Sequence, residues 1–143
     1  MQQPVAQILI VDDDARSASQ LARMLRGDGY EVEVTVSGAA AIARLTRDPL
    51  PAALVTELHL PLADGLAVGR YARARSATMA ILFLTAHPDA LQGIAEWSGA
   101  PPGILTKPLD YALLLRHLAA AAAQDLREHA PLAPGSRPPS TQA

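Results

Sequence analysis

Four short stretches of this 143-residue chain carry side chains able to do chemistry, and each follows or closes an apolar run. Asp12-Asp13-Asp14 comes directly after Ile8-Leu9-Ile10-Val11. Adjacent carboxylates repel one another and are costly unless solvated or neutralised by a cation. Asp14 has an ordinary use as the cap of a following helix. Asp12 and Asp13 are the residue type that a hard divalent ion such as Mg²⁺ takes, together with water. Glu57 closes Ala52-Ala53-Leu54-Val55-Thr56, Thr85-Ala86 closes Ala80-Ile81-Leu82-Phe83-Leu84, and Thr106-Lys107-Pro108 follows Ile104-Leu105. Lys107 is a fixed cation suited to a phosphoryl oxygen or a neighbouring carboxylate. Thr85 supplies one hydroxyl, and the small Ala86 leaves room beside it. Alone, Lys107 reads as a surface charge and Thr85 as a strand-end residue; their shared placement argues for one crevice.

The elements that must position these groups alternate along the chain. Ile8–Val11 is a β-branched-rich run that reads as a strand buried on both faces. Ala18, Leu21, Met24 and Leu25 then follow helical spacing from Ala15 to Arg26, with Gly27 and Gly29 as the stop. Glu31–Thr35 reads as a second strand and Ala39–Arg47 as a helix capped by Ser37. A third strand, Ala52–Thr56, leads through a loop holding Pro61 and Asp64-Gly65 to a helix ending near Arg75. Ala80–Leu84 is the fourth strand, followed by a weaker helix around Ala90 to Trp97; the brief fifth strand Ile104-Leu105 leads into a helix from Tyr111 to Ala123. Strands separated by helices imply crossover connections and a parallel sheet covered on both faces. In such sheets ligand chemistry collects at the carboxyl ends of the strands, where the four stretches lie.

Composition narrows the function classes. Half the residues are hydrophobic and 18% are charged, enough apolar material for one packed core. The absence of cysteine removes disulfide scaffolds, thiol catalysis and cysteine-based zinc sites. A formal net charge of −2, with Arg70, Arg73 and Arg75 spread around one helix and no aromatic interleaving, argues against direct nucleic-acid binding. The N-terminus has neither the basic region nor the apolar stretch of a secretory signal, and Ile8–Val11 falls far short of the ~20 residues that span a bilayer. A cytoplasmic domain over residues 5–124 without membrane contact is expected, with 125–143 a Pro-rich flexible tail.

Taken in order, Ile8 to Asp14, Gly29-Tyr30, Leu58-His59-Leu60-Pro61 with Asp64-Gly65, Thr85-Ala86 and Lys107-Pro108 resemble the receiver domain of two-component response regulators. The resemblance covers roughly residues 5 to 124. It implies an α/β, flavodoxin-like (βα)5 fold, a doubly wound parallel five-stranded sheet in the order 2-1-3-4-5. It also implies that a phosphoryl group from a sensor histidine kinase reaches an aspartate, and that a change at the far face selects partners. Carried over by position, Asp12 and Asp13 are the Mg²⁺-binding pair, with a third carboxylate from residue 57 and the backbone carbonyl of His59. Thr85 is the switch hydroxyl and Lys107 the lysine that contacts the phosphoryl group. The metal and Lys107 neutralise charge developing on phosphoryl oxygens.

The chain departs from that pattern at two places. The acceptor position, four residues before Pro61, holds Glu57, and no aspartate stands beside it in the strand. One added methylene misplaces the attacking oxygen, and an angstrom of misplacement costs about 100-fold. Mg²⁺ demands near-octahedral ligands at about 2.0–2.1 Å, so the longer side chain weakens the metal site as well. Efficient phosphotransfer to residue 57 is therefore not expected. Two readings of Glu57 follow. Its carboxylate reaches Lys107 and Thr85 and partly imitates a phosphoryl group, or it pairs with Lys107 and fixes one inert conformation; residual phosphorylation at Asp13 or Asp64 is the remaining case. The second departure is Ile104, which stands where receivers carry a switching Tyr or Phe. Isoleucine has no polar tip to expose in one state and bury in another. Before it, Gly99-Ala100-Pro101-Pro102-Gly103 is one residue longer than usual and is restricted by its prolines.

The resulting expectation is an atypical receiver acting as a protein-interaction module, not an enzyme beyond residual self-phosphorylation from a phosphodonor. Its partners would be a sensor histidine kinase, a phosphotransferase or an output protein. A homodimer through the face of the fourth helix, fifth strand and fifth helix is the family analogy. The competing expectations are a phosphorylation-competent receiver with an unusual acceptor and a small-molecule-binding α/β domain. Against the last, the chain has no Gly-x-Gly-x-x-Gly and no Walker-type loop. His59 reads as a group tuning access or ligating a softer metal than Mg²⁺, or more simply as an exposed loop residue, and His87 is similar. Phe83 and Trp97 read as packing residues.

Overall fold

A computed structural model describes residues 7–61, 64–91 and 97–129. The strands are β1 (Gln7–Val11), β2 (Glu31–Thr35), β3 (Ala53–Glu57), β4 (Ala80–Thr85) and β5 (Gly103–Thr106), and the helices are α1 (Ala15–Gly27), α2 (Gly38–Leu45), α3 (Gly65–Arg75) and α4 (Tyr111–His129). All strand pairs are parallel, in the order β2-β1-β3-β4-β5, the sheet expected from the sequence.

Side-chain alternation along the central strands divides the core in two. Ile8, Ile10, Val55, Leu82 and Leu84 face α1 and α4, packing on Ala18, Leu21, Leu25, Leu114 and Leu118. Leu9, Val11, Leu54, Ile81 and Phe83 face the other way, onto Ala41 and Leu45 of α2 and Val68 and Ala72 of α3. Period-two alternation inside runs apolar at every position is what a sheet buried on both faces requires. The parallel pairing brings the carboxyl ends of β1, β3, β4 and β5 to one edge.

Local chemistry starts the helices where the sequence places them. Asp14 caps α1, accepting from the backbone N–H groups of Arg16 and Ser17; Ser37 caps α2 through Ala40 N, and Asp64 caps α3 through Ala67 N. Asp28 follows α1 as its C-cap, and Gly29 adopts φ +96°, a left-handed conformation that glycine accepts without strain. Helix α2 spans 38–45 rather than 39–47, because Thr46 turns back to the Ala43 carbonyl. Helix α4 continues to His129, past Ala123 where the sequence places its end. The alanine run 119–123 favours helix and the polar residues after it do not stop one. Of the weaker helix around Ala90 to Trp97, a 3-10 turn at Pro88–Leu91 stands at the start; residues 92–96 lie outside the described residues, as does the tail from 130. Among the described residues no helix is long and apolar enough to cross a membrane.

Phe83 and Trp97 pack as expected, edge to face with centroids 5.9 Å apart, and Trp97 Nε1 donates to the Ala100 carbonyl. Among the described residues Arg44 and Arg73 are buried, which spacing did not signal. Arg73 donates to the carbonyls of Ser76, Ala77 and Ala100, tying α3 to the segment before β5. Arg44 donates to Glu33 and to the carbonyls of Arg47 and Pro49.

Candidate functional site

Each candidate residue reaches the edge because a strand delivers it. Register pairs Glu57 of β3 with Leu84 of β4, and Thr85 with Thr106 of β5, so Glu57, Thr85 and Lys107 come from three neighbouring strand ends. Backbone bonds between the loops hold them: Leu58 N donates to the Leu84 carbonyl and Lys107 N to the Thr85 carbonyl, each at 2.9 Å. On the other side, Asp12 N donates to the Thr35 carbonyl at 3.1 Å.

The Asp64-Gly65 pair also serves the site. Gly65 N donates to the Leu58 carbonyl at 2.8 Å, which brings the start of α3 down onto the end of β3. A side chain at residue 65 would run into the Glu57 carbonyl oxygen and stand 2.9 Å from Leu58 Cα. Only glycine allows that approach.

Within this frame Lys107 Nζ lies 2.6 Å from Glu57 Oε2. The Glu57 side chain is 10% exposed and that of Lys107 40%, so the pair is half sheltered from water. The buried Glu57 Oε2 has this ammonium as its counter-charge. Burial pulls the Lys107 ammonium down, but the Glu57 carboxylate, with Asp12 and Asp13 behind it, outweighs this and raises Lys107 above the ordinary lysine value. Asp12 is buried and its Oδ1 accepts from Asp14 N at 2.9 Å, while Asp13 is exposed. Asp14 is occupied as the α1 cap, which holds its carboxyl below the ordinary value through the backbone and hydroxyl of Ser17.

Thr85 is fully buried, and its Oγ1 accepts from His87 N at 2.9 Å. Among the described residues no hydrogen bond joins Thr85 to Glu57. Ile104 is 40% exposed on β5. His59 and His87 are exposed at the mouth, with ring centroids 6.1 Å apart, a proximity that the sequence did not signal.

The expected metal set was Asp12, Asp13, Glu57 and the His59 carbonyl. Its donor chemistry suits a hard cation, but its arrangement does not present a ready site. Glu57 is turned to Lys107, and among the described residues no three His, Cys, Asp or Glu side chains converge on a position for a metal ion.

A parallel five-stranded sheet in this order, with carboxylates, a threonine and a lysine at its carboxyl edge, defines a flavodoxin-like receiver. The chain belongs to the response regulator receiver domain family, whose model matches residues 8–119. It is 35% identical over 113 residues to the response regulator MprA of Mycobacterium leprae, a match covering 79% of this chain and 49% of that protein. The chain thus spans about half the length of the curated relatives it matches. Among solved structures, a putative response regulator from Chloroflexus aurantiacus is 34% identical with a TM-score of 0.72, over 84% of this chain and 99% of that one. A receiver protein from Sinorhizobium medicae is 28% identical with a TM-score of 0.74, over 83% of this chain and 95% of that one. Receiver domains act in two-component signalling with histidine kinases and output domains, typically bind Mg²⁺ at the acceptor site, and are generally not enzymes.

Proposed function

We propose that this receiver is atypical: Glu57 occupies the acceptor position, and the domain acts as a phosphorylation-independent interaction module. The observation that carries the reading is the 2.6 Å contact between Lys107 Nζ and Glu57 Oε2. The lysine that would meet a phosphoryl oxygen already faces a carboxylate, which gives it an anionic partner without any modification. A carboxylate has less charge and fewer acceptor oxygens than a phosphoryl group, so the pairing satisfies Lys107 without reproducing the phosphorylated site.

The state of Thr85 favours a fixed scaffold over a constitutive imitation of phosphorylation. In the receiver mechanism the threonine hydroxyl moves toward the modified acceptor; here its hydrogen bond is with His87 N. Ile104, exposed on β5, has no hydroxyl to report a change in either direction. The domain on this reading covers 5–124 with the helical extension to His129, and its partners are a kinase, a phosphotransferase or an output protein that reads a constant surface.

Amide spectra of the ¹⁵N-labelled protein test the reading. With Mg²⁺ and acetyl phosphate added, resonances of residues 56–60, 85–87 and 104–107 stay in place in the parent protein and shift in Glu57→Asp. Shifts of similar size in the parent would contradict it.

A further inference from the structure

Gly69 and Arg73, one turn apart on α3, receive the chain that leads into β5. Gly69 makes room for two rings: a methyl there would stand 2.5 Å from Phe83 Cζ and 3.3 Å from Trp97 Cη2. Arg73 is buried, and its Nη1 donates to the carbonyls of Ser76 and Ala77 at 3.1 and 2.8 Å, its Nη2 to that of Ala100 at 3.0 Å. Trp97 Nε1 donates to the same Ala100 carbonyl at 2.8 Å, and Arg73 Cζ lies 5.8 Å from the centre of the Trp97 ring. Gly99, at φ +78°, lies against the arginine stem, where a methyl would come within 2.8 Å of Arg73 Cδ. Among the described residues Arg73 forms no ion pair, and its buried Nε has no hydrogen-bond partner. An apolar side chain of similar volume would fill this space with no charge to desolvate. What the guanidinium adds is direction, three bonds that fix one segment on another.

We propose that Arg73 is a lock: it holds residues 97–100 on α3 and keeps changes at the Glu57–Lys107 end of the sheet from reaching them. Strand β5 joins the two regions directly, since Gly103 begins it beside Leu82 and Lys107 follows its other end. A shift of Lys107 therefore pulls on Ala100 through the strand, and the Ala100 carbonyl is the group that Arg73 and Trp97 both hold. Coupling between distant sites needs an element with two arrangements. A segment pinned by two donors and closed against Gly69 and Gly99 has one. The inference rests on the fixed-scaffold reading above, for which it supplies the part that keeps the surface before β5 constant. Its test uses no phosphodonor, so its failure leaves the reading of Glu57 standing.

A double-mutant cycle read by amide spectra of the ¹⁵N-labelled full chain tests it, with Glu57→Gln as the disturbance at the carboxyl edge. Trp97 is the chain's one tryptophan, so its indole N–H is a single resonance inside the lock. In the parent background Glu57→Gln shifts resonances around residues 57, 85 and 107 and leaves the Trp97 indole and the amides of residues 97–100 in place. In an Arg73→Met background the same substitution shifts them, and it does so again with Gly99→Ala, which pushes on Arg73 Cδ without altering the core. Arg73→Met alone speeds hydrogen exchange at residues 99 and 100 about tenfold or more and leaves β1 and β3 at parent rates, the mark of a local opening. Movement of residues 97–100 on Glu57→Gln alone overturns the lock, as does exchange accelerated equally throughout the chain. Absence of movement in the Arg73→Met background, or in Gly99→Ala should Arg73→Met fail to fold, overturns it as well.

Discussion

Lys107 Nζ and Glu57 Oε2 are 2.6 Å apart across the ends of β5 and β3, and the carboxylate of that pair is the more deeply buried partner. The asymmetry sets what each substitution does. Lys107→Ala leaves a sheltered carboxylate beside Asp12 and Asp13 with no cation, whereas Glu57→Gln leaves an ammonium that can turn to water. Losing one partner of a fully buried pair costs about 3–5 kcal/mol; because Lys107 is 40% exposed, Lys107→Ala should cost about 1–2 kcal/mol. Urea unfolding of the two single variants and the double variant should give a coupling of about 1 kcal/mol. Additive losses would dissolve the pair as an energetic unit.

Stability should fall at alkaline pH for two identifiable reasons. Lys107 is held above its ordinary 10.5, so its contribution is complete below 10.5 and disappears as pH rises through the raised value. Burial and the 2.6 Å bond from Tyr111 Oη to Asp28 Oδ2 push the Tyr111 hydroxyl up to about 12. The folded state therefore keeps that proton when the unfolded chain has lost it, and stability drops between about 10 and about 12. Urea midpoints measured from pH 8 to 11.5 should decline for the parent, and less steeply for Tyr111→Phe and Lys107→Met. Tyr111→Phe should also cost about 1 kcal/mol at neutral pH, the net worth of a hydrogen bond. Parallel pH profiles for the parent and both variants would remove this assignment.

Gly65→Ala should disturb the site from a distance. The added methyl meets backbone, the Glu57 carbonyl oxygen and Leu58 Cα, and backbone cannot rotate away as a side chain does. A loss of about 1–3 kcal/mol is expected, with weakened coupling between residues 57 and 107. Gly27→Ala is the comparison: nothing lies within 4 Å of its added methyl, so it should be neutral or stabilising by up to about 1 kcal/mol. Equal melting temperatures for the two variants would contradict the tight approach at Gly65.

The parts of the fold that depend on local pattern were legible from the sequence. Ile8 and Ile10 against Leu9 and Val11 announce a strand with two buried faces, and Asp14, Ser37 and Asp64 announce helix starts. Contacts between distant segments were not. Arg73 is placed on α3 by spacing, but its burial depends on the Ala100 carbonyl, 27 residues away. Arg44 depends in the same way on Glu33 in β2. At the site, spacing put Glu57 and Lys107 at one crevice but left open whether Thr85 shared the carboxylate. In the structure Thr85 Oγ1 takes the His87 N–H, a contact inside the loop after β4 that spacing does not show. The meeting of His59 with His87 lies between two loops, where no periodic signal exists.

Intact mass after incubation with Mg²⁺ and acetyl phosphate tests the central claim most directly, with Glu57→Asp run alongside. The account predicts an added phosphoryl mass of about 80 Da on the aspartate variant only, the parent being blocked by its misplaced and paired carboxylate. Labelling of the parent to a similar extent would contradict it and make this chain a working receiver with an unusual acceptor.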